Sequence, residues 1–183
     1  PRYNAFIAEP GAYNSEYYGL AHYSQGYAYF KLANAEMNYE TADGYYQKAN
    51  TSFRKYIDGN HGKEAKKVSD AYLRIGDCFY VAKNYTQAIL YYDKAAGNDE
   101  GGKEYAMFQK GMSYGFDGQN DKKSWVLKSL LTESPNSRFR VNAKYELAKT
   151  YLADNRLSEA KTYYSDILTN HSTTQYPKYA LRD

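Results

Sequence analysis

The stretch that decides the fold is YLRIGDCFYVAKNYTQAILYY, residues 72–92. Its apolar residues recur every three or four positions, which is typical of amphipathic helices. Two helices are predicted, with a break at Lys83 and Asn84. Gly76 in the first helix and Ala88 in the second are small where the pair would approach most closely. A larger side chain would overpack this contact and lower the free energy of unfolding by roughly 1–3 kcal/mol. The stretch therefore predicts one helix–turn–helix unit.

The same pattern recurs along the chain. A shift of 35 positions takes Gly76 to Gly111, a further 37 leads to Ala148, and an earlier copy opens at Gly26. Bulky residues recur with the small ones, at Phe79, Tyr92, Tyr114, Leu127, Tyr151 and Tyr164. Repeats of 20–50 residues are typical of solenoids, in which each unit buries its apolar face against its neighbours. Because no stretch shows the alternation of a strand, the fold class is expected to be all-α.

The spacing resembles the tetratricopeptide repeat (TPR), whose pattern has an aromatic, a Leu, a Gly, an aromatic, then Ala, an aromatic and Pro. The matching residues are Tyr72, Ile75, Gly76, Phe79, Ala88 and Tyr92, and a later copy adds Pro135. The resemblance covers nearly the whole chain and implies a right-handed α-solenoid of about four helix pairs. Residues 26–32 and 133–137 are similar to bacterial cell-envelope TPR proteins, such as the accessory protein of the Tol-Pal system and the outer-membrane assembly lipoprotein. That similarity implies a location in the periplasm or at the outer membrane.

We expect a single solenoid over residues 1–183. Residues 1–15 would end a preceding repeat, and residues 174–183 would begin a further one. The four repeats between them are expected at residues 16–60, 63–98, 102–136 and 138–172. Such a piece of a longer array would lack the polar caps of a solenoid, so its ends could associate end to end with other copies.

Two copies depart from the pattern. In the first copy, 11 more residues separate Gly26 from Ala49 than separate Gly76 from Ala88. These residues would lengthen both helices or form a protruding loop. In the third copy, Lys123 occupies the small position, so either that pair is loosely packed or the register is shifted by one.

Composition excludes several classes of protein. The 24 Lys and Arg against 21 Asp and Glu give a net charge of +3, too small and too scattered to indicate nucleic-acid binding. A mean hydropathy of −0.86, with no apolar run of 18 residues, indicates no direct membrane insertion. One cysteine, Cys78, cannot form an internal disulfide and is expected to be a buried thiol.

No pattern of catalytic or metal-ligating residues is found. His22, His61 and His171 are far apart and have no His or Cys at zinc spacing, so we expect no metal and no cofactor. A helical enzyme such as a lytic transglycosylase would need a carboxylate in a cleft. Glu104, Glu133 and Glu159 are acidic, but all three are expected near helix starts, where the helix dipole explains them. We therefore expect the protein not to be an enzyme.

The TPR resemblance implies a groove lined by the first helix of each pair. Tyrosine is unusually frequent, with 24 residues, and aromatic side chains recur at the expected groove positions. The candidate partner-binding residues are Tyr23, Tyr27, Phe30, Tyr80, Tyr105, Phe108, Met112 and Tyr145. An aromatic surface of this kind suits an extended or helical segment of a protein partner. The same rings could instead pack inside the array.

The sequence therefore predicts a non-enzymatic protein-interaction scaffold that binds a partner segment on an aromatic-rich concave face. The alternative is a structural spacer within a larger cell-envelope protein, with binding done elsewhere.

Overall fold

The computed structural model describes residues 2–59, 64–97 and 102–171, and the regular structure within these ranges is helical. The α-helices are α1 (Arg2–Ala8), α2 (Tyr18–Ala35), α3 (Tyr39–Asp58), α4 (Ala65–Val81), α5 (Tyr85–Ala96), α6 (Lys103–Phe116), α7 (Asn120–Glu133), α8 (Arg140–Ala153) and α9 (Leu157–Asn170). A single turn of 3-10 helix lies at Ala12–Asn14. None of the described helices is both long enough and apolar enough to cross a bilayer.

The chain divides into two compact units, residues 1–103 and residues 104–183. In the N-terminal unit α3 packs against both α2 and α4, and α4 packs against α5. Its core includes the buried side chains of Phe53, Tyr56 and Ile75. In the C-terminal unit α8 packs against both α7 and α9. The core of that unit includes Leu127, Leu147 and Tyr151.

Three hairpins share one turn geometry. Lys83, Gly118 and Asn155 have positive φ angles of 57°, 75° and 57°. The residue after each donates its N–H to a carbonyl five positions earlier, from Asn84 to Phe79 (2.9 Å), from Gln119 to Tyr114 (2.8 Å) and from Arg156 to Tyr151 (2.7 Å). This Schellman arrangement closes the first helix of the pair and redirects the chain into the second. The turns are separated by 35 and 37 residues, the same spacings as the repeat in the sequence.

The repeated glycine makes room for a bulky side chain of the second helix. A Cβ atom on Gly76 would lie 2.7 Å from Cε1 of Tyr92, and the nearest atoms to it all belong to that ring. Gly26 lies against Phe53 in the same way, and Gly111 against Leu127, each at 2.8 Å. These partners lie four residues after the expected small positions Ala49, Ala88 and Lys123. The glycine is therefore required by the ring or branched side chain one turn beyond the small residue.

The first hairpin is longer at its tip. α2 runs nine residues past Gly26, whereas α4 runs five past Gly76. α3 begins ten residues before Ala49, whereas α5 begins three before Ala88. Both connecting turns have three residues, so the 11 extra residues lengthen the two helices, as one of the two sequence interpretations expected.

Lys123 fits the small position of the third hairpin because the facing residue has no side chain. A Cβ on Gly115 would lie 2.7 Å from Cδ of Lys123, so the lysine stem occupies the space that a side chain would take. Lys123 is buried, and its Nζ donates to Oε2 of Glu146 at 2.8 Å. Because Gly111 still contacts Leu127, the register is unshifted. Neither loose packing nor a shift by one is needed.

Replacing Gly76 with Ala is expected to lower the free energy of unfolding by about 1–3 kcal/mol, because the new Cβ would overlap the buried Tyr92 ring. Gly44 provides the control: it lies within α3, and a Cβ there would meet nothing within 4 Å. Gly44→Ala is expected to raise stability by up to about 1 kcal/mol through helix propensity. Urea unfolding followed by circular dichroism measures both variants. Equal effects at the two positions would contradict the packing role of Gly76.

The Lys123 stem fills the space that a side chain at position 115 would take. We therefore expect the two positions to be strongly coupled in a double-mutant cycle. Gly115→Leu alone would clash with the lysine stem, whereas Gly115→Leu with Lys123→Ala recreates the pairing of α8 and α9, where Leu152 and Ala160 hold these places. We expect a coupling free energy of about 1–2 kcal/mol in favour of the double variant, measured by urea unfolding. Additive effects would show that the two positions do not share this space.

Candidate functional site

The sequence-predicted residues of the N-terminal unit lie on the first helices of two consecutive hairpins. Tyr23, Tyr27 and Phe30 are on α2, and Tyr80 is on α4. All four side chains are partly exposed. We use the name first-helix face for the surface formed by Tyr23, Tyr27, Phe30, Asp70 and Arg74.

Asp70 joins the two helices of this face. The hydroxyl of Tyr23 donates to Oδ2 of Asp70 at 2.7 Å, and the hydroxyl of Tyr27 donates to the same oxygen. The Tyr23 and Tyr27 rings contact each other edge to face, with centroids 5.2 Å apart, and both contact the Phe53 ring of α3. The two phenols are therefore held in fixed orientations by a single carboxylate on the next hairpin.

A chain of charged groups continues along α4. Nε of Arg74 lies 3.6 Å from Oδ1 of Asp70, and Nη1 donates to Oδ2 of Asp77 at 2.6 Å. The hydroxyl of Tyr92 donates to Oδ1 of Asp77 at 2.8 Å. The Asp77 side chain is only 8% exposed, so these hydrogen bonds satisfy a carboxylate that would be costly to bury alone. The same network fixes the Arg74 guanidinium at the surface.

Phe30 completes this face. The guanidinium carbon of Arg74 lies 5.6 Å from the Phe30 ring centroid, a cation–π distance. On its other side Phe30 contacts the Tyr46 ring, with centroids 5.6 Å apart. Tyr80, one helical turn beyond Asp77, contacts the Tyr85 ring edge to face at 5.9 Å.

Burial and hydrogen bonding raise the pKa of both phenols on the face. Desolvation is the largest cause, and the hydrogen bond to Asp70 and its negative charge add to it. The pKa of Tyr27 is raised to about 12, and that of Tyr23 is raised further. Both hydroxyls therefore act as hydrogen-bond donors at neutral pH, and neither is a nucleophile.

The predicted residues of the C-terminal unit are more enclosed. Phe108 stacks on Phe139 with ring centroids 5.3 Å apart, and Tyr105 contacts the same ring at 5.8 Å. Met112 is partly exposed, whereas Tyr145 is 8% exposed and offers little surface. Within this unit the rings therefore serve packing as well as the surface.

Several residues of these surfaces were not identified as candidates from the sequence. Asp70 and Asp77 precede the candidate Tyr80 on α4, but their role as acceptors for tyrosines became evident only from the structure. Arg74 and Phe139 lie outside the expected groove positions. The signal that could have indicated them is the i, i+3 and i+4 spacing of opposite charges at Asp70, Arg74 and Asp77, which places the three on one helix face.

The residues considered for catalysis have local structural roles. Glu104 accepts a hydrogen bond from Ser137 at 2.7 Å, and Glu159, near the start of α9, accepts one from Nη2 of Arg156 at 2.6 Å. The expectation for Glu133 was wrong, because it is the last residue of α7, where the helix dipole disfavours a carboxylate. Burial raises the pKa of the Cys78 thiol, so this cysteine is not an activated nucleophile.

Neither His22 nor His171 belongs to a cluster of metal ligands among the described residues. His22 is buried, with its ring edge to face against Tyr18 and Nδ1 3.3 Å from Oε1 of Gln25. His171 lies 3.8 Å from Asp166, and His61 is outside the described residues. Among the residues that the structure describes, no group of three or more His, Cys, Asp or Glu side chains could hold a metal ion.

Comparison with known proteins identifies the repeat. Residues 70–99 and 142–174, about a third of the chain, match the tetratricopeptide-repeat family model. These two segments are therefore similar to tetratricopeptide repeats, and the predicted fold class, an all-α array of the solenoid type, is confirmed. No curated protein sequence matches the chain.

Solved structures share the fold at low sequence identity. The MamA RS-1 ArsTM double mutant has a TM-score of 0.66 and 18% identity, over 86% of this chain and 77% of that one. A crystal structure of MamA has a TM-score of 0.60 and 19% identity, over 81% of this chain and 87% of that one. The apo form of RapI has a TM-score of 0.61 and 14% identity, over 85% of this chain but only 57% of its own. At these identities the likeness concerns the fold.

The raised pKa values of Tyr23 and Tyr27 predict a loss of stability at alkaline pH. The folded state holds the phenol protons more tightly than the unfolded chain, in which the pKa is near 10.0. Their contribution is fully present below pH 10 and is lost as the pH rises above it, up to about pH 12 for Tyr27 and over a wider range for Tyr23, whose pKa is raised further. The Tyr23→Phe/Tyr27→Phe variant is expected to lose roughly 1–2 kcal/mol less than the wild type over this window. Urea unfolding on each side of the window measures the difference, and parallel losses would contradict the assignment.

Proposed function

We propose that the protein is a non-enzymatic interaction scaffold that binds a segment of a protein partner on aromatic surfaces of its first helices. The observation that carries this proposal is the joining of α2 to α4 by Asp70, which presents Tyr23, Tyr27 and Phe30 together with Arg74. The TPR match supports it, because TPR arrays use such surfaces to hold peptides.

The chemistry of the first-helix face suits a partner segment better than a small molecule. Its rings are partly exposed and lie on helices, where little conformational entropy is lost on binding. The two phenols and Arg74 are already hydrogen-bonded to Asp70 and Asp77, so the face is preorganised. Aromatic rings beside an arginine are the side chains that contribute most at protein interfaces. We therefore expect apolar anchors on the partner, packed against ring edges.

The C-terminal unit would supply a further contact surface of its own. Met112 is partly exposed on α6, one turn after Phe108, and a flexible thioether adapts to varied apolar partners. Phe108 and Tyr105 would support this surface through their packing on Phe139. Tyr145 would contribute little direct contact, because it is only 8% exposed.

Three expectations from the sequence accompany this proposal. The rival function is a structural spacer within a larger cell-envelope protein, with binding done elsewhere. A location in the bacterial cell envelope follows from the sequence resemblance alone, and fractionation of source cells with an antibody to this chain tests it. End-to-end self-association also stays a prediction, and light scattering over a range of concentrations tests it.

Site-specific photo-crosslinking tests the function. A benzophenone amino acid replaces Tyr80 or Met112 on the first helices, and in matched controls it replaces Leu90 or Trp125, which are exposed on the second helices α5 and α7. After irradiation in an extract of source cells, we expect one protein to be captured from the Tyr80 or Met112 position and not from the controls. Mass spectrometry identifies the crosslinked segment.

The same experiment separates the scaffold from the spacer. Equal capture at all four positions would mean nonspecific contact, and capture at the controls alone would place the interface on the second helices. No capture at Tyr80 and Met112 would contradict binding on these surfaces and favour the spacer.

A further inference from the structure

The lengthened tip of the first hairpin extends past the helix that packs against it. We use the name hairpin tip for residues 33–47, the end of α2, the turn and the start of α3. α4 ends at Val81, and the hairpin tip carries the residues that the second hairpin lacks. The shorter second hairpin therefore has no residues that would cover the side of the hairpin tip that faces it.

A cleft lies where the hairpin tip passes the end of α4. It has a volume of about 280 Å³. Its lining residues are Ala33, Asn34, Glu36, Met37, Tyr39, Ala42, Asp43, Tyr46 and Val81. Met37 is 99% exposed, Tyr39 is 64% exposed and Val81 is 39% exposed. Three large apolar side chains thus surround one opening, which is unusual for a surface with no partner.

The floor of this cleft is held in place by hydrogen bonds. The hydroxyl of Tyr46 donates to Oδ1 of Asn34 at 2.7 Å, which joins α3 to α2 beneath the opening. Asn38 caps α3 by accepting the N–H of Thr41 at 2.9 Å. Glu36 accepts the N–H of Asn38 at 2.9 Å and so closes the turn. These hydrogen bonds hold the residues around the cleft in fixed positions before any ligand binds.

The charged side chains that line the cleft are acidic. Glu36 and Asp43 line it, and Glu40 lies on the exposed first turn of α3. Residues 33–47 contain these three carboxylates and no Lys or Arg. The chain as a whole carries a net charge of +3, so the hairpin tip is a local acidic region in a basic protein. An apolar opening with carboxylates at its edge favours a ligand that is apolar and cationic.

We propose that the hairpin-tip cleft is a second docking site, which binds a segment of a partner protein that carries an apolar side chain flanked by Lys or Arg. The volume is slightly below the 300–1,000 Å³ typical of small-molecule pockets, and it suits one or two side chains of a peptide. Met37 provides a flexible wall that can adapt to the anchor. The cations of the segment face Glu36, Glu40 and Asp43. The cleft opens apart from the first-helix face, although its Tyr46 contacts Phe30 of that face, and the charged side chains that line it are all acidic.

Methyl NMR on the full chain tests where such a segment binds. The three methionines report on different places: Met37 on the cleft, Met112 on the first-helix surface of the C-terminal unit, and buried Met107 on neither. The probe is a short synthetic peptide of Lys and Leu with helical spacing. Two matched peptides replace its Lys with Glu or its Leu with Ser. We expect the Lys–Leu peptide to shift the Met37 methyl resonance, and the two matched peptides to leave it unchanged.

Variants then test the two parts of the chemistry by fluorescence anisotropy of the labelled Lys–Leu peptide. Met37→Ser with Val81→Ser removes the apolar walls and is expected to weaken binding about tenfold or more. Its control, Leu32→Ser with Leu90→Ser, changes two exposed apolar side chains of the same unit outside the cleft. Glu36→Gln with Asp43→Asn removes charge and keeps the hydrogen-bond acceptors, and it is expected to weaken binding about threefold to tenfold. Its control is Glu9→Gln with Asp58→Asn.

Each other outcome overturns the proposal. A shift of Met112 with Met37 unchanged would leave the proposed function standing and exclude the cleft. An equal response of Met37 to the acidic peptide would contradict the role of charge. A Met37 shift that grows with protein concentration before any peptide is added would assign the cleft to a second copy of the chain. A silent Met37 up to saturation of the Lys–Leu peptide would mean that the cleft binds no such segment.

Discussion

The helical pairs depend on the missing side chain at Gly26, Gly76 and Gly111. At each of these places a ring or branched side chain of the second helix occupies the volume that a Cβ would fill. A Cβ added there would lie only 2.7–2.8 Å from the nearest atom of that side chain. Because Phe53, Tyr92 and Leu127 are fully buried, the space cannot be recovered by turning them outward. The contact sets how the two helices face each other, and the orientation of the first helices at the candidate site follows from it.

The repeat tolerates change when both sides of a contact change together. In the third pair Lys123 takes the place of the small residue, and the residue opposite it is Gly115, which has no side chain. The lysine head then gains Glu146, which also lies 3.5 Å from Lys149. The lysine that fills the space beside Gly115 thus forms a partly buried ion pair within the unit. The position is unlike its counterparts in composition, but the backbone register is the same.

The structural features that could be predicted from the sequence are those that recur in it at a regular spacing. The helix pairs, the break at Lys83 and Asn84 and the small residue at Gly76 follow from spacing within the sequence, since each repeats in later copies. The lengthening of the first hairpin follows from counting residues between Gly26 and Ala49. The acceptor role of Asp70 could not be predicted, because it depends on how α2 lies against α4, a distance of more than forty residues along the chain. The hairpin-tip cleft could not be predicted for a related reason: it arises where two helices of unequal length end at different levels.

The burial of Cys78 has a practical consequence for any study of this molecule in solution. It is the sole thiol in the chain, it is 3% exposed, and its pKa is raised by desolvation. Maleimide reagents need a thiolate that they can reach, so the native fold protects this position while it remains folded. A cysteine introduced at an exposed site would accept a dye or spin label selectively, without removal of the natural residue. Slow labelling of Cys78 itself would report the opening of the N-terminal core.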